Sequence, residues 1–257
     1  MFVAELTFRK TEKHLPDEAV GALYSLLGAL ERNGQVLSKQ EQIGERRDTY
    51  QIFVTVPEIK SLNQSHDHKW VHEARLALKK AGLRQPVVRI VGSWPEAREL
   101  CQCTKSEWLI LMTHFLARES SLKCGGCFDQ IPLYRIPLTS NDDYHDIIRW
   151  QGDYQSCDSL QMGCATGERF GTREMSLYDS SLSKRGRAIC QQIESATATP
   201  AYYYLDRENG KKSETEKLRR CPSCNNEWLL SDPLHRIFDF RCDPCRLLSN
   251  IGWNVKG

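Results

Sequence analysis

The sequence predicts an α+β protein in three parts. Residues 1–95 form a small α/β sandwich of ferredoxin-like kind, 96–205 a mixed central region with a cysteine cluster, and 206–257 a linker and a C-terminal zinc ribbon. Three observations predict this. Strand-period and helix-period hydrophobic patterns alternate through the first 92 residues. Cysteine is abundant, 11 in 257 residues, and falls in short-spaced pairs. Residues 206–217 contain no hydrophobic side chain, which reads as a solvated linker before a module of about 40 residues.

Composition bounds the classes. With 40% hydrophobic and 26% charged residues the chain is globular in type, which excludes a fibre or a disordered tail. The longest uncharged stretch near the start, residues 19–30, is short of the roughly 18 apolar residues a membrane span needs. Glu5 and Arg9 interrupt the first residues too early for a secretory signal, so a cytoplasmic protein is expected. The 35 basic side chains against 33 acidic ones argue against a wholly basic coat for nucleic acid, but leave room for local patches.

In the first part, Phe2, Ala4, Leu6 and Phe8 alternate as in a strand. Pro16 suits a helix start, and Val20, Leu23, Tyr24, Leu27 and Leu30 follow at helical spacing up to Asn33-Gly34. Strands over 50–56 and 87–91 flank a helix over about 68–81, with Val71, Ala74, Leu78 and Ala81 on one face and Gly82 after it. The expected order is β-α-β-α-β, with a boundary at Trp94-Pro95. In the second part, residues 108–115 suit either a strand or a helix capped by Thr104 and Glu107, and the flanking cysteines favour the strand. Residues 140–143 can cap a helix carrying Tyr144, Ile147, Ile148 and Tyr154. Leu182, Gly186, Ile189, Cys190 and Ile193 line another, and residues 201–205 are an aromatic strand.

Cys221-Pro-Ser-Cys224 and Cys242-Asp-Pro-Cys245 are two C-x-x-C knuckles seventeen residues apart. A two-residue gap lets one tight turn aim two sulfurs at a point, and a hairpin brings two such turns together. Four thiolates leave no open coordination position, so one structural zinc ion is expected. Cys101-Gln-Cys103 and Cys124-Gly-Gly-Cys127, twenty residues apart, are read as a second zinc site, with buried thiols as the alternative. His66, His68 and His72 sit at a helix start, where a solvated cap is the plainer reading.

No P-loop, zincin or nucleophile-elbow motif occurs, so no enzyme activity, catalytic residue or small-molecule substrate is expected. Gly163, Gly167 and Gly171 read as turn glycines. Basic residues cluster at Lys184, Arg185 and Arg187, and again beside the knuckles: Lys217, Arg219, Arg220, Arg236, Arg241 and Arg246. The latter six, with nearby aromatics, are candidate contacts for nucleic acid. Residues 207–257 hold ten basic against seven acidic side chains, so a protein-docking surface is the rival use.

The residues Cys221-Pro-Ser-Cys-Asn-Asn-Glu-Trp228, Phe238-Asp-Phe-Arg-Cys-Asp-Pro-Cys-Arg-Leu-Leu-Ser249, Cys124-Gly-Gly-Cys-Phe128 and Ile131-Pro-Leu-Tyr-Arg-Ile-Pro137 carry a resemblance. The chain resembles a group of bacterial proteins grouped as zinc-ribbon-containing, candidate nucleic-acid-binding proteins. The Leu182–Arg187 and Tyr202–Leu205 segments are similar too. Asn225 stands where many ribbons carry glycine, and Asn tolerates left-handed backbone. The resemblance implies a prokaryotic, cytoplasmic protein.

The expected function is therefore a non-enzymatic, zinc-stabilised protein that binds nucleic acid through basic residues near the knuckles. The alternative is a protein-protein interaction adaptor using the ribbon or the N-terminal sheet.

Overall fold

The computed structural model describes residues 1–11, 18–37, 42–95, 97–139 and 143–255. The expected helix start at Pro16 and the expected cap residues 140–142 lie outside these. The chain forms two compact units. The first comprises Met1–Cys101, Arg118–Ser120 and Asp129–His145, and the second Gln102–Ala117, Ser121–Phe128 and Asp146–Gly257.

The first unit runs β1 (Phe2–Arg9), α1 (Glu18–Arg32), β2 (Ile43–Arg46), β3 (Thr49–Val56), α2 (Lys69–Lys80) and β4 (Val87–Ser93). Its sheet has the order β2-β3-β1-β4, with every neighbouring pair antiparallel. Alternation explains the layering. Ala4, Leu6 and Phe8 of β1 and Ile52, Val54 and Val56 of β3 are buried with Leu23, Leu26 and Leu30 of α1 and Val71 and Leu78 of α2. Val20 and Tyr24, expected on the α1 stripe, are exposed, and Ala19 and Leu26 take their place. Gly34 closes α1 at φ 70°, with the Gln35 amide donating to the Leu30 carbonyl. Gly82 closes α2 in the same way at φ 76°.

The expected β-α-β-α-β order lacks one strand. β2 has a single half-buried apolar residue, Ile43, and exposed neighbours, so it carries no hydrophobic period. It exists because β3 offers an edge to pair with, through the turn at Arg47-Asp48. Two histidines of the α2 approach lie against tyrosine rings, and His72 is exposed. His66 lies 4.7 Å from the Tyr134 ring and His68 5.4 Å from Tyr144.

The second unit contains β5 (Leu109–Leu111), β6 (Leu122–Cys124), α3 (His145–Met162, from residue 146), α4 (Glu168–Ser176), α5 (Ser181–Thr197), β7 (Ala201–Leu205), α6 (Ser213–Lys217), β8 (Leu229–Leu234), β9 (Phe238–Cys242) and β10 (Leu247–Ser249). Six strands form one mixed sheet, β6-β5-β7-β10-β9-β8, with β7 parallel to both β5 and β10. β7 is buried on both faces, which is why its tyrosines run without a polar break. Tyr202 and Tyr204 pack with Ile110, Phe128, Phe238 and Leu248. Tyr203 faces the other way, 6.0 Å from Trp150 of α3. Each hydroxyl is satisfied: Tyr202 donates to Asp243 (2.7 Å), Tyr203 to Ser183 (3.4 Å) and Tyr204 to Asp206 (2.8 Å).

This sheet changes the expected organisation. The C-terminal strands β8–β10 and the central strands β5–β7 share one ladder, so both sides of residues 206–217 belong to one unit. The expected linker is itself packed. Asp206 is buried, α6 occupies 213–217, and Glu216, 4% exposed in its side chain, pairs with Arg207 at 2.9 Å. Its buried acids, Asp206 and Glu216, anchor it by polar bonds, while Lys211, Lys212, Glu214 and Lys217 stay in water. Gly167 caps a further helix, α4, and Gly171 lies within it, where turns were expected. Gly171 is needed there because a Cβ would strike the Cys157 carbonyl of α3.

Candidate metal centres

The first knuckle, Cys221–Cys224, follows α6. The second, Cys242–Cys245, is the turn between β9 and β10, and the seventeen intervening residues hold the β8–β9 hairpin. Cys242 pairs across the ladder with Leu247, so the second knuckle is pinned on both sides. The four sulfurs lie within 4.8 Å of one another, with Cys224 and Cys242 3.6 Å apart. A tetrahedron with Zn–S of about 2.3 Å places its sulfurs about 3.8 Å apart. None of the 11 cysteines is in a disulfide.

The second tetrad, Cys101, Cys103, Cys124 and Cys127, meets the same 4.8 Å limit, with Cys124 and Cys103 at 3.9 Å. Cys124 ends β6, and Ser106 donates to its sulfur at 3.3 Å. All eight cysteines predicted as ligands therefore fall into the two predicted groups. Cys157 and Cys190 are buried on helices, whereas Cys164 is exposed.

A shared backbone device marks the three C-x-x-C turns. The residue after each second cysteine is left-handed: Phe128 at φ 66°, Asn225 at 60° and Arg246 at 52°. In two of them that residue's amide donates to the first cysteine's carbonyl, at 2.9 Å each, for Phe128 to Cys124 and Asn225 to Cys221. Left-handed backbone is unfavourable for residues other than glycine, and it persists where the surroundings over-determine it. Two sulfurs held on one ion would supply that constraint. Gly125 is required for a separate reason: a Cβ there would sit 2.6 Å from Cε3 of Trp108.

Burial pushes the Cys221 and Cys242 thiols up, while the Asn226 backbone amide pulls Cys224 down to about 7. Loading such a site at neutral pH releases protons, so metal affinity rises with pH. Cys103 and Cys127 are exposed, whereas none of the C-terminal four is. A chelator titrated into the loaded protein is expected to remove the central ion first. Following Cys103→Ser and Cys245→Ser proteins by metal release checks the order, and simultaneous loss from both tetrads would contradict it.

The six cations expected to meet nucleic acid divide into two groups. Arg219 is turned inward: it donates to the Asn250 carbonyl (2.7 Å) and Ser249, and lies 4.5 Å from the Phe240 ring. Burial lowers its pKa to about 10. Arg241 lies over the Trp108 and Tyr202 rings and bonds Asp243 at 2.5 Å, and Arg246 makes a two-pronged pair with Glu194 at 3.1 Å. These three support the β7–β10 region, which corrects their reading as solvent-facing contacts. Arg220 pairs with exposed Glu227. Lys217 and Arg236 are exposed and make no ion pair among the described residues.

Two cavities in the second unit carried no sequence motif. One, about 470 Å³, is lined by Tyr178, Lys184, Arg187 and Glu194 with the knuckle tips Ser223 and Pro244. The other, about 350 Å³, holds Asp158, Asp206 and Glu208 among Met112, Phe115 and Trp253, and burial raises all three carboxyl groups.

Fold and site together define a two-unit α+β protein with two four-cysteine groups suited to structural metal. A protein of Haemophilus influenzae named "Uncharacterized protein" is 33% identical over 262 residues, covering 99% of both chains. A second from the same organism, with the same name, is 39% identical over 175 residues, covering 68% of this chain and 86% of its own. The chain belongs to the family of these Haemophilus proteins. Three family models match in tandem, each described as a domain of unknown function: DUF8589 over residues 1–92, DUF2310 over 103–206 and DUF8594 over 210–255. Among solved structures, a Deinococcus radiodurans protein provisionally named an antibiotic biosynthesis monooxygenase covers 39% of this chain and 100% of its own. It does so at 13% identity and a TM-score of 0.27, too low to carry over fold or chemistry. Among the described residues no helix is long and apolar enough to cross a membrane.

Proposed function

We propose that the protein is a non-enzymatic, zinc-stabilised, nucleic-acid-binding protein of the cytoplasm. Four thiolates at tetrahedral spacing suit zinc. Eleven cysteines outside disulfides suit a reducing compartment. We read the first unit as ferredoxin-like, on its β-α-β-β-α-β order and β2-β3-β1-β4 sheet, and the knuckles with β8–β10 as a zinc ribbon.

The observation that carries the nucleic-acid reading is the exposure of Lys217 and Arg236, which make no ion pair among the described residues: Lys217, with Arg220, leads into the C-terminal knuckle, and Arg236 lies at the tip of the β8–β9 hairpin, next to His235, whose ring meets the Gly125 carbonyl of the central knuckle. A phosphate can meet Lys217 and Arg236 without breaking an ion pair, as it would have to do at Arg219, Arg241 or Arg246. Binding of a labelled oligonucleotide should weaken with salt, at a slope of about −0.7 to −0.9 per neutralised phosphate. Absence of binding at low salt removes the reading. An adaptor role rests on the exposed Leu218, 78% accessible, and Leu229, 45%, near the same tetrad.

Metal counting tests the zinc sites. Two equivalents per chain are expected, falling to one when Cys124 and Cys127 both become Ser. One equivalent, unaffected by that change, would eliminate the central site.

A further inference from the structure

The helix-free face of the N-terminal sheet carries a second constellation, formed from residues that the C-terminal reading does not use. The strand register puts Val3, Glu5, Thr7 and Arg9 of β1 directly opposite Thr55, Phe53, Gln51 and Thr49 of β3, and Arg46 of β2 opposite Thr49. All of these therefore share one face, since Ala4, Leu6 and Phe8 between them are in the helix-covered core. Two features stand out on it.

The first is a groove of about 630 Å³ at one end of the sheet, with Thr7, Arg9, Arg46, Arg47, Thr49 and Gln51 in its lining. Arg9, Arg46 and Arg47 are exposed, and among the described residues none of them makes an ion pair. Lys10, also at the groove, is already paired with Glu45, and Asp48 is the one carboxylate in the lining. The second is Phe53, 55% exposed in the middle of the same face, four residues along β3 from Thr49 and so about 13 Å from it. Its cross-strand neighbour Glu5 brings no free charge: Arg89 pairs with it, and the Gln51 side chain donates to it at 3.1 Å.

Arg47 adds an observation from the backbone. It occupies the β2–β3 turn at φ 45°, where glycine or asparagine is the relaxed choice. Folding alone gives no reason for an arginine there.

A cluster of uncommitted guanidinium groups beside threonine hydroxyls is chemistry for phosphate oxygens. An exposed phenylalanine ring along the same strand is a platform for an unpaired base, and it has no use for the edge of a duplex. We infer that this sheet face is a binding site for single-stranded nucleic acid, with Arg9, Arg46 and Arg47 holding the backbone and Phe53 stacking a base. The inference shares its ligand class with the function proposed above but none of its residues.

The test uses the full-length, metal-loaded protein and a fluorescein-labelled 20-nucleotide single strand, in DNA and RNA forms, followed by anisotropy from 50 to 300 mM salt. Replacing Arg46 and Arg47 together by Gln should weaken binding at least tenfold and reduce the salt slope by about 1.4, the share of two phosphates. Phe53→Ala should weaken binding about tenfold with the slope unchanged, and Phe53→Trp should retain it. Arg47→Gly should weaken binding while leaving thermal stability unchanged or higher, which separates ligand contact from folding. If Lys217→Gln with Arg236→Gln abolishes binding and the sheet variants stay within twofold of the parent, the inference falls and the C-terminal reading stands. The reverse pattern upholds the inference and removes the C-terminal site. Tighter binding of a 20-base-pair duplex than of either strand overturns the inference, as does the absence of binding by the parent protein at 50 mM salt.

Discussion

Replacing Cys242 by serine is expected to remove one metal equivalent and to unfold most of the second unit, not only the tail. Cys242 ends β9, between the first knuckle and the β10 turn, and three thiols are left where four closed the site. The free energy of a structural zinc site is on the order of 10–16 kcal/mol, against about 5–15 kcal/mol for the net stability of a whole domain. The loss cannot stay local. β9 pairs with β10, β10 with β7 and β7 with β5, and Phe238 of β9 packs in the same cluster as Tyr204, Ile110 and Phe128. The first unit, with its own core of Leu6, Leu23, Leu26, Ile52 and Leu78, should remain folded. Urea unfolding followed by near-ultraviolet circular dichroism, together with limited proteolysis, checks this. Cleavage confined to residues 206–255, with the tyrosine signal of β7 intact, would show that the tail is independent after all.

The second large effect is expected at Gly186. A Cβ built there falls 2.7 Å from Cδ2 of Tyr203 and 2.9 Å from Nε1 of Trp150, both fully buried aromatic side chains with nowhere to retreat. Alanine is the better helix former by about 1 kcal/mol, so propensity alone favours the substitution inside α5. Overpacking costs typically about 1–3 kcal/mol, and here the obstacle is a central strand, so Gly186→Ala should destabilise. Gly28 of α1 is the contrast: no atom comes within 4 Å of its Cβ position, so Gly28→Ala should stabilise by about 0.5–1 kcal/mol. Opposite signs at two helical glycines, measured by denaturant midpoint, test whether close approach and not helix propensity governs α5. Equal signs would refute that account.

Much of the local architecture was legible before any coordinates. β1, β3, β4, α1, α2, α5 and β7 announce themselves by period, and Gly34 and Gly82 by their place after a hydrophobic stripe. The short β5 sits where a strand or a helix both suited the pattern. What escaped was what a single segment cannot encode. β2 has almost no apolar residue, and α4 was hidden by glycines that serve helix contact. The course of 206–217 resembled a solvated linker because the groups that anchor it are polar and find partners far along the chain, as where the Trp253 indole donates to Asp206. The same ambiguity affected the cations: Lys217 and Arg219 look alike in sequence, yet one is exposed and the other lies against Phe240.

The amino-acid order by itself pointed to two groups of four cysteines, because three of the four pairs are C-x-x-C, a local turn whose geometry depends on a few adjacent dihedrals. Tertiary structure alone decided that the C-terminal hairpin completes a six-stranded sheet with the central region, and which basic side chains remain available to a ligand. Strand adjacency is written in backbone hydrogen bonds, which every residue but proline can make. The fate of a charge depends on neighbours brought together only when distant strands meet.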